Sequence, residues 1–264
     1  MSFLSDILEV KREEVKRLKA KRTLSSFNNE EFFAVPVMSL KKAICRKDRF
    51  GIISEIKKAS PSKGILKYDF NHMKLAETYF KCRTDAISVL TDKYFFQGDI
   101  KFIYDIAKIK PSPILRKDFI IDECQVLEAK AYGSDAILLI AEVLTASQIN
   151  ELSHAAVECG LEVLLELHSE PELSKINFQL NDLIGINNRN LETFNVDLNT
   201  TRNLSVKIPD NIIKTSESGI LTKEGINKLK ETNINAVLVG EYFMKSTDIE
   251  NDFIKLKEWC SYAG

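Results

Sequence analysis

Five short apolar segments of the chain end on residues that such segments rarely carry. Ile52-Ile53-Ser54 runs into Glu55-Ile56-Lys57, Ile114-Leu115 into Arg116-Lys117-Asp118, and Val163-Leu164-Leu165 into Glu166. Ile184-Gly185-Ile186 runs into Asn187-Asn188-Arg189, and Lys214-Thr215 into Ser216-Glu217-Ser218-Gly219. Taken out of water without a partner, each charge would be costly, so such residues need a reason. One alone is readily a structural ion pair. Five segment ends behaving alike point to one shared site. Lysines beside carboxylates in a drying cleft shift one another's proton affinity, which suits acid and base roles near neutral pH.

Two further turns suggest what the site binds. Ser218-Gly219-Ile220 and Gly240-Glu241-Tyr242-Phe243-Met244 are small-residue turns, the second opening a short helix. Such turns let backbone N–H groups approach an anion. Read alone they are ordinary tight turns; Arg189 and Lys57 nearby favour a phosphate. Phe95-Phe96, in Thr91-Asp92-Lys93-Tyr94-Phe95-Phe96-Gln97-Gly98, is either core or the wall of an aromatic pocket.

The elements that must position these residues form a repeat in kind. Apolar runs lie at 51–55, 86–90, 114–117, 136–140, 162–167, 183–187, 212–215 and 236–239. Amphipathic stretches at 74–82, 123–132, 146–159 and 223–231 lie between some of them. Gly133 and Gly160 fall where a helix should end before the next strand. Strands apolar on both faces and alternating with helices predict a parallel sheet covered on both sides. Eight such units predict a (β/α)8 TIM barrel, whose chemistry sits at the C-terminal strand ends. An open doubly wound sheet would alternate similarly but would usually carry G-x-G-x-x-G after its first strand, which is absent. The expected organisation is a single domain over 1–264: an N-terminal helical extension at 1–48 and the barrel at 49–264.

Composition narrows the classes. With 264 residues, 44% hydrophobic and 28% charged, the chain is ordinarily globular. A net charge of -1 argues against nucleic acid, and no apolar run is long enough to span a membrane. The five cysteines, Cys45, Cys82, Cys124, Cys159 and Cys260, are widely spaced with no C-x-x-C pair, which favours a reducing cytoplasm over disulfides or zinc. His72, His154 and His168 lack metal-ligand spacing and read as structural or surface residues, so no metal or cofactor is expected. Phe3, Leu4, Ile7, Leu8, Val15 and Leu18 recur at helical spacing among basic residues. The acids Asp6, Glu9, Glu13 and Glu14 in the same stretch favour an amphipathic helix over a transit peptide.

The strand-end motifs resemble those of the indole-3-glycerol phosphate synthase family. The resemblance is carried by Ile53-Ser54-Glu55-Ile56-Lys57-Lys58-Ala59-Ser60-Pro61-Ser62-Lys63-Gly64, Ser88-Val89-Leu90-Thr91-Asp92 with Phe95-Phe96-Gln97-Gly98, and Leu115-Arg116-Lys117-Asp118-Phe119-Ile120-Ile121-Asp122. Gly185-Ile186-Asn187-Asn188-Arg189-Asn190-Leu191 and Ser216-Glu217-Ser218-Gly219-Ile220 complete it. It runs from about residue 50 to 245 in the family's order. It implies ring closure, decarboxylation and dehydration of 1-(2-carboxyphenylamino)-1-deoxyribulose 5-phosphate, without cofactor. It also implies catalytic roles for Lys117, Glu166, Lys57, Glu55, Asn187 and Glu217, and phosphate contacts from Ser60, Arg189, Ser218, Gly219, Gly240 and Glu241, the last two by backbone. Pro61, Phe96, Phe119, Leu138 and Leu191 would pack the aromatic ring. The chain departs at Ser134, where the family usually has Ala, and over 27–36, which leaves the lid over the mouth open. A monomer or weak oligomer is expected, acting on a small sugar phosphate. The rivals are a different phosphate-sugar barrel, such as an isomerase or a Schiff-base aldolase using Lys117 and trappable by borohydride, a catalytically silent barrel that only binds a metabolite, and an interaction module built on the N-terminal helix.

Overall fold

In the computed structural model, which describes residues 3–262, the eight apolar runs are strands of one closed ring. They are β1 (Gly51–Ile56), then, after a small hairpin of β2 (Ala59–Ser60) and β3 (Gly64–Ile65), β4 (Ala86–Leu90), β5 (Ile114–Lys117) and β6 (Ala136–Ile140). β7 (Glu162–Leu167), β8 (Leu183–Asn187), β9 (Ile213–Glu217) and β10 (Ala236–Val239) follow. Each ring neighbour is parallel, and the order β1-β10-β9-β8-β7-β6-β5-β4 closes through a β1–β4 pairing. The fold is a (β/α)8 barrel.

Side chains alternate faces along a strand. Ile53, Ala86, Leu115, Leu138, Leu164 and Leu238 point inward and fill the barrel. Their neighbours Ile52, Ile87, Ile114 and Val237 point outward on one side of the ring, and Ile137, Leu165 and Ile184 on the other. Carrying the inward set to the strand ends reaches Glu55, Lys117, Glu166, Asn187 and Glu217. The period of two therefore delivers them to one mouth.

The helices are α1 (Phe3–Lys21), α2 (Leu40–Ile44), α3 (His72–Lys81), α4 (Ile100–Ala107), α5 (Glu123–Ala131), α6 (Ala146–Glu158), α7 (Asn199–Ser205), α8 (Lys223–Lys230), α9 (Glu241–Met244) and α10 (Ile249–Cys260). Side chains of Asn71, Asp99, Asp122, Thr145, Thr222 and Asp248 accept first-turn backbone N–H groups, fixing where helices start. Gly133 and Gly160, at φ 92 and 75, end two of them in the left-handed region.

The N-terminal segment closes both ends of the barrel. Leu40 and Ile44 of α2 join the interior cluster from below, where the backbone of Ile44 approaches so closely that a Cβ on Gly51 would lie 2.2 Å from its carbonyl oxygen. Phe3, Leu4 and Ile7 of α1 border the opposite mouth. The segment 27–36 is not the lid: Phe27 is buried, Phe32 packs edge-on against Tyr104, and Lys130 Nζ donates to the carbonyl of Val35 at 2.6 Å, along the flank of α4 and α5.

Candidate active site

At the C-terminal strand ends lies a cleft of about 1140 Å³. Glu55, Lys57, Lys117, Glu166, Asn187 and Glu217 border it, as do Ser60, Arg189, Ser218, Gly219, Gly240 and Glu241. Pro61, Phe96, Phe119, Leu138 and Leu191 line the same space, so every residue given a catalytic, phosphate or ring-binding role by the resemblance borders one cavity. Phe96 and Phe119 face each other across it, ring centroids 6.4 Å apart, whereas Phe95 packs edge-on against Phe3.

The electrostatic centre is Lys117. Its Nζ donates to Glu166 Oε2 at 2.9 Å and Glu217 Oε2 at 2.6 Å, reaching across the barrel from β5 to β7 and β9. Burial opposes charge on this ammonium, but Glu166, Glu217 and Glu55 outweigh it and hold its pKa above the usual lysine range. Burial likewise opposes charge on Glu166, yet Lys117 and His168 together hold it well below the usual carboxylate range. Glu217 goes the other way: burial and the negative Glu166 push it up despite Lys117, and its Oε1 has no hydrogen-bond partner. One lysine thus sits between an ionised carboxylate and a readily protonated one. Lys57 pairs with Glu55 beside them.

Two glycines make room for this arrangement. A Cβ on Gly185 would lie 2.1 Å from Glu217 Oε1, and one on Gly240 would lie 2.1 Å from Glu55 Oε2. Across the cleft, Ser218 and Gly219 are both left-handed, at φ 65 and 77. Successive residues of unusual hand turn their amides inward, a concavity suited to anions. Arg189 Nη1 donates to the carbonyl of Phe194 at 3.0 Å, and Nη2 lies 3.6 Å from Glu241 Oε2. Glu241 was expected to act through its backbone; its carboxylate also gathers Lys63 and Lys245, so cations already surround this turn.

Several functional neighbours escaped sequence reasoning. Lys11 of α1 is 1% exposed and pairs with Asp92 and Asp118, each at 2.8 Å. The signal was present: Ile7, Lys11 and Val15 share one helix face, so a charge interrupts a buried stripe. Asn188 Nδ2 donates to Ser216 Oγ at 3.0 Å and to the carbonyl of Glu217 at 2.9 Å, while its Oδ1 accepts from Thr201, tying the ends of β8 and β9 together. Of the two readings open for His168, structural or surface, the structure fits the first: its side chain is 6% exposed, with Nε2 3.2 Å from Glu166 Oε1. His154 is exposed on α6 as expected, and His72 stacks on Phe102. Among the described residues Glu142, His168 and Glu172 could together offer metal ligands. Both Glu172 oxygens are taken, by Ser169 Oγ and the backbone N–H of His168, so the trio does not fit a bound ion well.

A family model described as indole-3-glycerol phosphate synthase matches residues 4–256. An indole-3-glycerol phosphate synthase from Thermoanaerobacter pseudethanolicus is 45% identical over 255 residues, spanning 96% of this chain and 97% of that one. One from Nautilia profundicola is 47% identical over 208 residues, 79% of this chain and 80% of that one. Among solved structures, 3-hexulose-6-phosphate synthase from Salmonella typhimurium superposes with a TM-score of 0.60 at 11% identity, covering 80% of this chain and 98% of that one, a likeness of fold alone. From residues 4 to 256, the chain belongs to the indole-3-glycerol phosphate synthase family, decarboxylating lyases of tryptophan biosynthesis.

Proposed function

We propose that the mouth converts 1-(2-carboxyphenylamino)-1-deoxyribulose 5-phosphate to indole-3-glycerol phosphate. The observation that carries the reading is Lys117 Nζ, held protonated between Glu166 and Glu217 at the centre of a cleft with aromatic walls on one side and an amide- and cation-lined turn on the other. The aromatic ring packs among Pro61, Phe96, Phe119, Leu138 and Leu191. The phosphate takes the amides of Ser218, Gly219, Gly240 and Glu241, with Ser60 and with Arg189 released from Glu241. The ketone then lies at Lys117.

Each step has a residue suited to it. As the ring carbon bearing the carboxylate attacks the ketone carbon, Lys117 donates a proton to the oxygen, and loss of CO2 restores aromaticity. Once Lys117 has given up its proton, the charge that chiefly held Glu166 ionised is gone, and Glu166 relays a proton to the hydroxyl as it leaves as water. Lys57, oriented by Glu55, holds the substrate's carboxylate or phosphate and is the alternative proton source in dehydration. Asn187 orients the hydroxyls and Glu217 binds one of them. We place the protein in the cytoplasm as a single-domain monomer or weak oligomer: its five cysteines are free, and no described helix is long and apolar enough to cross a membrane. Incubating the protein with the substrate and following indole fluorescence tests the reading. Growth of the signal supports it, while a borohydride-trapped lysine adduct without indole would replace it with Schiff-base chemistry.

A further inference from the structure

The reaction proposed above has a proton balance that the buried mouth must meet. The ketone oxygen takes up one proton on ring closure and a second on leaving as water. The methylene carbon next to nitrogen gives up one. The carboxylate leaves as CO2 without needing any. Each turnover therefore draws one proton from solvent, yet Glu166 and Glu217 are 2% and 1% exposed.

A row of three side chains leads out of the site from Glu166. Its Oε2 faces Lys117 and the cleft, and its Oε1 faces His168 Nε2 at 3.2 Å. On the far side of the ring, His168 Nδ1 lies 3.4 Å from Glu142 Oε2, and the Glu142 side chain is 29% exposed. The imidazole is 6% exposed and sits between the two carboxylates, with Nε2 toward Glu166 and Nδ1 toward Glu142. We propose that Glu142 and His168 form a proton relay that recharges Glu166 from solvent between turnovers.

The charged groups around the ring keep a proton on it, available to Glu166 once Lys117 has given up its own. His168 follows β7 and faces Glu166 on that strand, Glu142 on the loop after β6, and Glu172 on the 3-10 turn Glu170–Lys175, whose carboxylate accepts the His168 backbone N–H. Lys117 lies beyond Glu166, and Glu192 approaches Glu142 from the loop after β8. Burial opposes charge on the ring, but Glu166, Glu142 and Glu172 outweigh it and raise its proton affinity. Glu142 is raised too, chiefly by burial, so it exchanges protons nearer to neutrality than a solvated carboxylate would. His168 touches no reacting atom: it acts through Glu166 and is a positioning residue.

The inference rests on the reading of Glu166 as the group that protonates the leaving hydroxyl, and the experiment separates the two. Turnover is followed by indole fluorescence from pH 5 to 9, in H2O and D2O, for wild type, His168→Gln, His168→Ala and Glu142→Gln. Removing a general acid–base group costs roughly 10²–10⁴-fold, so removing its feeder is expected to lower kcat about tenfold or more with KM within about twofold. The His168→Gln deficit should widen as pH rises, its solvent isotope effect should exceed that of wild type, and added imidazole should restore part of the His168→Ala rate. Glu142→Gln, altered at a half-exposed position, should show a smaller deficit of the same pH sign. A wild-type pH profile and isotope effect in both His168→Gln and Glu142→Gln would overturn the relay, as would a His168→Ala loss that imidazole leaves untouched while Glu142→Gln behaves normally. Turnover by wild type with either result leaves the site's function standing; no turnover by wild type overturns both.

Discussion

Two buried lysines in this molecule are each held by carboxylates from other elements, in different surroundings. Lys11 pairs with Asp92 and Asp118 and with Glu14 on its own helix; Lys117 pairs with Glu166 and Glu217. Around Lys11 the surroundings are closed. Asp118 also accepts from the Phe119 backbone, Thr91 Oγ1 and Arg116, and Arg116 reaches Glu128. Around Lys117 they are open. Gly185 and Gly240 leave room, and the ammonium itself lines the cleft. The first cluster ties α1 across the mouth. Burial and ion pairing are common to both, and Asp92 and Asp118 reach the same cleft, so what sets Lys117 apart is that the cation, and not only its carboxylates, borders the cavity.

The sharpest break between them should come from arginine. Lys117→Arg keeps the charge but gives up a proton far less readily, so kcat should fall by about 10²-fold or more while thermal unfolding stays near wild type. Lys11→Met should do the reverse. Removing one partner of a buried ion pair typically costs about 3–5 kcal/mol, which a urea titration would show as an earlier midpoint. Loss of turnover by Lys11→Met at unchanged stability would merge the two clusters into one functional unit.

Next in size is Gly185→Ala. A Cβ there would collide with the Glu217 carboxylate, and a misplacement of about 1 Å can cost about 10²-fold in rate. Steady-state kinetics should show at least a tenfold fall in kcat on that ground. A neutral result would mean that Glu217 has a second working rotamer.

The pH dependence of stability should also carry opposite signs. Lys11 and Arg116 outweigh burial and lower Asp118 from 3.8 to about 2. Its contribution is therefore present above its unfolded value and lost as pH falls toward 2. Glu217 is raised above 4.5, so its contribution is present below that value and lost as pH climbs through its folded value. Glu217→Gln should remove that loss and be more stable than wild type at neutral pH but much less active. Urea midpoints across pH 2–9 check both signs.

The smallest expected effect lies in the pocket wall. Phe119→Ala should raise KM by several-fold and lower kcat less, because the ring supplies binding common to ground and transition states. An unchanged KM would remove Phe119 from the substrate's contacts.

Most of the barrel was legible because its strands are apolar on both faces for most of their length, so the runs fell on β4 to β8 and β10 with the right ends, even where Lys117, Glu166 or Asn187 lies at or near the strand's end. Reading failed where burial was polar. The run at 212–215 stopped short of Ser216 and Glu217, which lie inside β9 because Asn188, Thr201 and Lys117 supply their partners. Lys11 looked like one basic residue among many, since its acids lie some eighty and a hundred positions away in the chain. His168 carries no ligand spacing, because what it meets, Glu142 and Glu166, comes together only when β6 and β7 pair. The departure at 27–36 left the cover of the mouth open; the N-terminal residues that border it are Phe3, Leu4 and Ile7 of α1.

The most direct test sets Lys117→Ala and Lys11→Ala side by side, measuring single-turnover formation of indole-3-glycerol phosphate, binding of inorganic phosphate and the urea midpoint. The account predicts that Lys117→Ala still folds and binds phosphate but loses at least about 10²-fold in rate, and that Lys11→Ala shows the larger fall in urea midpoint. Retention of more than about a tenth of the wild-type rate by Lys117→Ala, against that expected loss, would contradict it and pass the ketone's proton to Lys57.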